Sequence, residues 1–298
     1  MGSDIDTAAS VALCVTLAAI LAAFAVVSLV SGPRSFERVD REAPLPLVGK
    51  APMEAMYAAI GPVARILVAL GVSANTITVA SLVFAACAAV SFGLGHFGLG
   101  TAFGVVAAMA DALDGLVARQ SGTASRFGQV LDTMIDRYVE ALFIGGIAVF
   151  VRNDWVLLSL ALAALVGGYM VSYASSVLRE LQVSDVRAPM RRVERLTCLL
   201  VATLLVPLIA SAKFALSVRV ELAPVVVALA LIAVVGNVSA LRRLMRGARI
   251  AARAGKTANS GGSAPIITPV PSSSQVQVPV CQAIEASSHS TSKRLRHP

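Results

Sequence analysis

Residues 111–136 read DALDGLVARQSGTASRFGQVLDTMID and contain four of the nine aspartates in the chain. Asp111 and Asp114 are three residues apart, and Asp132 and Asp136 are four apart, so each pair lies on one face of a helix. Two antiparallel helices joined by a short turn could bring the two pairs together. The segment therefore predicts two helices that bring four carboxylates together.

The sequence around this segment is too apolar for a soluble protein. Of 298 residues, 57% are hydrophobic and 14% are charged, whereas about a quarter of the residues in a typical soluble domain are charged. Apolar runs of about 20 residues recur, each long enough to cross a hydrocarbon core as a helix. Backbone polar groups must be paired in lipid, and the sequence lacks the alternating pattern of barrel strands. We therefore predict an all-α integral membrane protein.

The apolar runs predict a six-helix transmembrane core, an interfacial helix before it and one extra N-terminal transmembrane helix. The core helices are expected at 74–95, 98–119, 126–151, 154–179, 191–212 and 221–243. Residues 52–70, in which Arg65 interrupts an apolar run, favour a juxtamembrane helix along the interface, with a buried half-span as the alternative. The predicted organisation is an N-terminal anchor (1–31), a cytoplasmic linker (32–51), a membrane domain (52–250) and a disordered tail (251–298).

The charged residues indicate an orientation and a class of partner. The net charge is +8, and the basic residues lie mainly in the connections between apolar runs. The positive-inside rule then places residues 32–70 in the cytoplasm and the N-terminus outside, in a multi-pass protein of the cell inner membrane. Because no aromatic-rich soluble module accompanies these residues, anionic lipid headgroups and phosphorylated substrates fit better than nucleic acid. The four cysteines are scattered and indicate neither a zinc site nor a disulfide framework.

Four carboxylates inside apolar helices need compensating positive charge. Placing an ionisable group near the bilayer centre costs about 3 kcal/mol on insertion scales, and the four carboxylates also repel one another. A set of oxygen ligands favours Mg²⁺ or Mn²⁺ over zinc or copper. The expected metal ligands are Asp111, Asp114, Asp132 and Asp136. The alternative is a set of helix-end aspartates that are merely solvated at the interface.

The spacing of this segment resembles a known signature. The pattern D-x-x-D-G-x-x-A-R-x8-G-x3-D-x3-D is complete here, and it is similar to that of the CDP-alcohol phosphotransferase (CDP-alcohol phosphatidyltransferase) family over roughly residues 52–250. The resemblance implies an enzyme that holds two divalent ions at the aspartates, with Asp136 as the general base for the incoming alcohol. It also implies a cytidine and phosphate site at Gly115, Ala118, Arg119 and Gly128. Close helix packing is the alternative role for Gly128.

A second segment resembles the start of the first core helix in this family. Residues 71–78 read GVSANTIT, and the resemblance implies that Asn75 and Thr78 face the nucleotide. The family commonly has a proline where this chain has Ala74. The alternative is that Ser73 or Asn75 simply caps the helix.

A third segment is similar to the branch of the family that makes phosphatidylinositol phosphate or its archaeal relatives. Residues 190–195 read MRRVER, and the resemblance implies that Arg192 and Arg195 grip the phosphate of the acceptor. One feature departs, because Ser172-Tyr173 is followed by small and apolar residues where related sequences usually place Lys or Arg. Arg179 is the alternative source of that charge.

The resemblance thus implies transfer of a phosphatidyl group from CDP-diacylglycerol to an inositol phosphate or related polyol, with release of CMP, in phospholipid biosynthesis. Free inositol and glycerol 3-phosphate are alternative acceptors, and a homodimer is implied. Two other classes stay open. One is a cation-coupled transporter whose intramembrane carboxylates bind the transported ion, and the other is an inactive relative that serves as a membrane scaffold.

Overall fold

The computed structural model describes residues 4–31, 50–180, 190–212 and 218–259. Within these ranges all regular structure is helical, which confirms the predicted class. The helices are α1 (Asp4–Ser31), α2 (Lys50–Ala69), α3 (Ala74–Gly93), α4 (Phe97–Gln120), α5 (Arg126–Phe150), α6 (Trp155–Glu180), α7 (Arg192–Ser211), α8 (Val218–Glu221) and α9 (Ala223–Asn259). The predicted linker at 32–51 lies outside the described residues apart from its last two, which begin α2.

Helix length and composition identify the membrane-spanning elements. Among the described residues, six helices are long and apolar enough to cross a bilayer, namely α1, α3, α4, α6, α7 and α9. α5 has 25 residues and is also long enough to span. Its charged side chains keep its hydropathy low, and they include Asp132, Asp136, Arg137 and Glu140. The chain is a multi-pass integral membrane protein, as predicted.

The predicted core helices match the observed ones closely until the last. Five of the six begin and end within two residues of the prediction. α9 instead continues to Asn259, so residues 251–259, predicted to be disordered, are helical. Ala251, Ala252 and Ala254 are strong helix formers, which allows the helix to continue past the apolar run. Met1–Gly247 forms one compact unit and Ala248–Pro298 a second, of which only residues 248–259 are described.

Local sequence signals build the turn between α4 and α5. Gly122 has a φ of +67°, a left-handed conformation that glycine adopts without a Cβ clash. Ser125 then caps α5, because its side-chain oxygen accepts a 3.0 Å hydrogen bond from the backbone N–H of Gly128. Residues 121–125 alone connect the two helices. This short turn brings the two aspartate pairs to the same end of the α4–α5 pair.

Close packing holds α3 against α4 and α5. A Cβ on Gly146 of α5 would collide with the backbone of Ala89 in α3, so glycine permits the approach. The ring of Phe92 packs against those of Phe97 and Phe143, at centroid distances of 5.9 and 6.1 Å. All three phenylalanines are buried. This packing fixes the three helices whose other ends carry the predicted site residues.

The two helices that precede the core are docked on α4. Asp6 of α1 is 2% exposed, lies 2.9 Å from Nδ1 of His96 and accepts a 3.3 Å hydrogen bond from the backbone N–H of Leu99. A polar contact therefore attaches the extra N-terminal helix to the start of α4. α2 is a helix as predicted, and it packs its buried Ile60 against apolar side chains of α4. Its placement along the membrane interface stays a prediction.

Candidate metal centre and adjoining pocket

Three of the four predicted metal ligands lie together between α4 and α5. Asp111, Asp132 and Asp136 each place one carboxylate oxygen within 4.8 Å of the other two. Asp132 and Asp136 are one turn apart on α5, and Asp111 reaches them from α4. All three are half-buried, so water screens their mutual repulsion less than it would at a free surface.

The fourth predicted ligand, Asp114, is held by a helix outside the α4–α5 pair. Its side chain is 6% exposed, and Thr78 of α3 donates a 2.6 Å hydrogen bond from Oγ1 to Oδ2 of Asp114. Asp114 lies one turn after Asp111 and lines the same cavity as Asp132. A buried carboxylate that accepts a short hydrogen bond has a fixed orientation, so Thr78 positions Asp114 toward this cavity.

The donor set fits a divalent cation. The converging atoms are all carboxylate oxygens, which are the ligands that Mg²⁺, Mn²⁺ and Ca²⁺ prefer. A cation between them would offset the mutual repulsion of these partly buried like charges. Asp111, Asp132 and Asp136 therefore have the chemistry and spacing to hold a divalent ion, with Asp114 adjacent.

An arginine from α7 contacts two of these carboxylates. Nη2 of Arg192 lies 3.5 Å from Oδ1 of Asp111, and Nη1 forms an ion pair with Oδ1 of Asp136. The guanidinium thus bridges a carboxylate of α4 and a carboxylate of α5. The side chains of Arg192 and Asp136 are 17% and 18% exposed, and Oδ1 of Asp136 is itself buried, so the contact is largely shielded from solvent. The structure brings Arg192 to the carboxylates themselves.

The second predicted acceptor arginine is in a buried ion pair. Nε of Arg195 lies 2.6 Å from Oε1 of Glu140, and Nη2 lies 2.9 Å from Oε2. The two residues are 3% and 1% exposed. Gly168 of α6 leaves room for the pair, since a Cβ there would lie 2.6 Å from Oε1 of Glu140. Arg195 and Arg192 therefore have different surroundings, although they are one turn apart.

Sequence reasoning did not single out Glu140. A signal was present, because Asp132, Asp136 and Glu140 follow one another at four-residue intervals along one face of α5. The family signature ends at Asp136 and does not extend to Glu140. Arg137 is not a fixed position of the signature either, and its Nη1 lies 3.8 Å from Oε2 of Glu140.

A cavity of about 490 Å³ adjoins the carboxylates. All six residues predicted to face the nucleotide line it, together with Asp114 and Asp132. The six are Asn75, Thr78, Gly115, Ala118, Arg119 and Gly128. Its volume is in the range of small-molecule sites, and its lining combines small, hydroxyl, amide and charged side chains. The structure thus joins residues from α3, α4 and α5 into one wall beside the metal ligands.

At the start of α3, different residues act as the helix cap and line the cavity. Ser73 is the cap, because its side-chain oxygen accepts a 3.2 Å hydrogen bond from the backbone N–H of Thr76. Asn75 instead lines the cavity, with its Oδ1 close to Gly128 of α5. A Cβ on Gly128 would lie 3.3 Å from that oxygen. Because Gly128 has no Cβ, α5 can lie close to Asn75 without a side chain filling this part of the cavity.

The α6 segment that lacks Lys and Arg receives an arginine from another helix. Arg243 of α9 is 8% exposed, donates a 3.1 Å hydrogen bond to the carbonyl of Val171 and contacts Oγ of Ser175. The side chain of Arg179, the alternative source of charge, lies outside the described part of the chain.

Comparison with known sequences identifies similar proteins. The family model for CDP-alcohol phosphatidyltransferase matches residues 71–238. An archaetidylinositol phosphate synthase from Pyrococcus horikoshii is 37% identical over 114 residues, which are 38% of this chain and 58% of that protein. A phosphatidylinositol phosphate synthase from Streptomyces avermitilis is 31% identical over 167 residues, which are 53% of this chain and 68% of that protein. The chain therefore matches somewhat over half the length of the archaeal relative.

Solved structures share the fold. Crystal structures of Mycobacterium tuberculosis phosphatidylinositol phosphate synthase, with CDP-DAG bound and with manganese and citrate, give TM-scores of 0.54 and 0.55. Each is 24% identical to this chain and covers 62% of it. The matches cover 92% and 87% of those chains. The likeness shows a common helical membrane fold.

Proposed function

The chain belongs to the CDP-alcohol phosphatidyltransferase family, and on this premise we propose that it transfers a phosphatidyl group from CDP-diacylglycerol to a small polyol and releases CMP. One observation carries the proposal. Three carboxylates converge within 4.8 Å of one another, and the cavity beside them is lined by all six residues predicted for the nucleotide. A metal-binding group next to a nucleotide-sized pocket is what displacement at a diphosphate requires.

We propose that Asp111, Asp114, Asp132 and Asp136 hold two divalent ions, Mg²⁺ or Mn²⁺. Such ions, when bound, neutralise the diphosphate and stabilise the departing CMP. The manganese in the mycobacterial structure supports this choice of metal. Thr78 keeps Asp114 oriented through its 2.6 Å hydrogen bond, and Arg119 at the cavity wall offers a forked donor to phosphate oxygens.

Asp136 is proposed as the general base. A new bond forms between the hydroxyl oxygen of the acceptor and the phosphatidyl phosphorus as the bond from that phosphorus to CMP breaks. The hydroxyl proton passes to the Asp136 carboxylate. Asp136 forms an ion pair with Arg192 of α7, and α7 carries the two arginines predicted to contact the acceptor. A base between donor and acceptor sites suits this step.

The acceptor is proposed to be an inositol phosphate. The archaeal and Streptomyces relatives are named as synthases of inositol phosphate lipids, and Arg192 and Arg195 lie on the α7 side of the carboxylates. Free inositol and glycerol 3-phosphate are the alternative acceptors. We further propose a homodimer in the inner membrane, with the site facing the cytoplasm, the N-terminus outside and the diacylglycerol tails in the bilayer.

Release of CMP by the purified chain tests the function. The chain is mixed with CDP-diacylglycerol, Mg²⁺ or Mn²⁺ and a panel of alcohols with and without phosphate. We expect CMP with inositol phosphate, no CMP after removal of metal with a chelator, and recovery on adding metal back. Asp136→Asn should abolish release, whereas Asp154→Asn, at the N-terminal cap of α6, should not. Failure with every alcohol, or ion flux in proteoliposomes without CMP, would reject the transferase.

A further inference from the structure

Arg192 contacts the carboxylate oxygens that a metal ion would use. Its two Nη atoms contact Oδ1 of Asp111 and Oδ1 of Asp136, and both aspartates belong to the group of three that converges within 4.8 Å. The remaining member of that group is Asp132. A guanidinium that bridges two carboxylates from two helices neutralises part of their charge, as a divalent cation would.

A divalent cation and this guanidinium cannot both bind fully to the same carboxylate oxygens. An oxygen that coordinates a divalent ion at about 2.0–2.2 Å has less capacity to bond an arginine, and the two positive charges also repel each other. The energies involved are large, because the contacts lie in a partly buried place where water screens charge weakly. Occupancy by one cation must therefore lower the affinity for the other.

The side chain of Arg192 is less deeply buried than that of Arg195. Arg192 is the first residue of α7 and its side chain is 17% exposed. Arg195, three residues later, is 3% exposed and makes two short bonds to the buried Glu140. The Glu140–Arg195 pair therefore anchors α7, while the guanidinium of Arg192 can exchange one anionic partner for another at the edge of the site.

We propose that Arg192 competes with a divalent cation for Asp111 and Asp136, so that metal binding transfers its guanidinium to another anion. The proposal rests on the proposed metal site. Arg192 then has two sets of partners, which are the two carboxylates and the phosphate of the acceptor. Binding of the metal ion moves the guanidinium from the first set to the second. Metal binding and acceptor binding are then linked, since each favours the same position of Arg192.

Binding of Mn²⁺ alone tests the competition without catalysis. Free Mn²⁺ is measured by electron paramagnetic resonance during titration of the full chain in detergent, with neither substrate present. Arg192→Met removes the charge and should tighten Mn²⁺ binding about tenfold or more, because the ion no longer displaces a cation. Arg192→Lys should fall between, since one ammonium cannot bridge two carboxylates as a guanidinium does. Arg246→Met, an equal charge change at an exposed position of α9, should bind as the parent does.

The outcomes separate this inference from the proposed function. If the parent binds Mn²⁺ and Arg192→Met binds it equally or more weakly, competition is refuted and Arg192 instead helps to arrange the ligands. If neither the parent nor Arg192→Met binds Mn²⁺ at millimolar concentration, the proposed metal site itself fails. Arg192→Gln provides a second neutral variant if the methionine substitution unfolds, and it should tighten binding in the same direction.

Discussion

Loss of Arg195 should destabilise the protein more than loss of any exposed arginine. Arg195→Met leaves Glu140, which is 1% exposed, as a buried carboxylate without the two bonds at 2.6 and 2.9 Å. Breaking a buried ion pair by removing one partner costs about 3–5 kcal/mol. Arg137→Met is the matched control. Its Nη1 is 3.8 Å from Oε2 of Glu140, and Glu140 keeps both bonds to Arg195 when Arg137 is replaced, so this loss should cost less than the loss of Arg195.

A double substitution tests whether the cost comes from the unpaired charge. Glu140→Leu combined with Arg195→Met removes both charges and keeps similar side-chain volumes. Replacing a buried ion pair by apolar residues is often neutral or stabilising, so the double variant should regain most of the stability lost by the single one. The coupling energy from the full cycle should be roughly 2 kcal/mol or more.

Thermal unfolding in one detergent, together with CMP release, measures both roles of Arg195. The single variant should melt on the order of 10 °C below the parent, and the double variant near it. If Arg195 also grips the acceptor, the stable double variant should keep a raised KM for a phosphorylated acceptor and an unchanged KM for CDP-diacylglycerol. A single variant as stable as Arg137→Met would refute the reasoning, since the buried pair would then contribute nothing.

Three further substitutions test the metal site, the cavity and the docking of α1. Thr78→Val removes the 2.6 Å hydrogen bond to Asp114 and should weaken Mn²⁺ binding about 10–100-fold in the same titration. Gly128→Ala places a Cβ 3.3 Å from a side-chain oxygen at the cavity wall, and should raise the KM for CDP-diacylglycerol more than it lowers kcat. Gly98→Ala places a Cβ against the backbone of Asp6, and should lower the free energy of unfolding by about 1–3 kcal/mol.

Matched controls exist in α5 for each of these substitutions. Thr133→Val removes an exposed hydroxyl that bonds only within its own helix in the described structure, and should leave Mn²⁺ binding unchanged. A Cβ on Gly145 would meet nothing within 4 Å. Gly145→Ala should therefore leave KM unchanged and should not lower the melting temperature. Equal effects of a variant and its control would mean that the contact assigned to the variant is not responsible.

Helical periodicity explains why the candidate site was predictable. Spacings of three and four residues determine which side chains share a helix face, so all four aspartates were expected to converge. Asp111, Asp132 and Asp136 do, and Asp114 lines the adjoining cavity with Asp132. The short connection between α4 and α5 was also predicted. Apolar runs predicted the core helices, including α5, although the charged residues of α5 keep its hydropathy low.

Pairing between distant helices explains what was not predictable. Glu140 and Arg195 are 55 residues apart, and helical spacing says only which face each occupies. Nothing local to Arg195 indicates that its guanidinium is bound to a buried carboxylate rather than open to a phosphate. Gly168 of α6 contributes by having no side chain where the pair lies. Three helices must be assembled before such a contact can be recognised, so the role of Arg195 depends on tertiary structure.

The two ion pairs between α5 and α7 have different roles. One anchors α7, and the other involves an arginine that can exchange its anionic partner. On α5, Asp136 and Glu140 are one turn apart, and on α7 their partners Arg192 and Arg195 are also one turn apart. The inner pair is buried and holds α7 in register, while the outer pair is less deeply buried. If the inner pair positions Arg192, then Glu140→Leu with Arg195→Met should loosen that position and tighten Mn²⁺ binding toward the level of Arg192→Met. Parent-like Mn²⁺ affinity in the folded double variant would show that Arg192 reaches the carboxylates without this anchor.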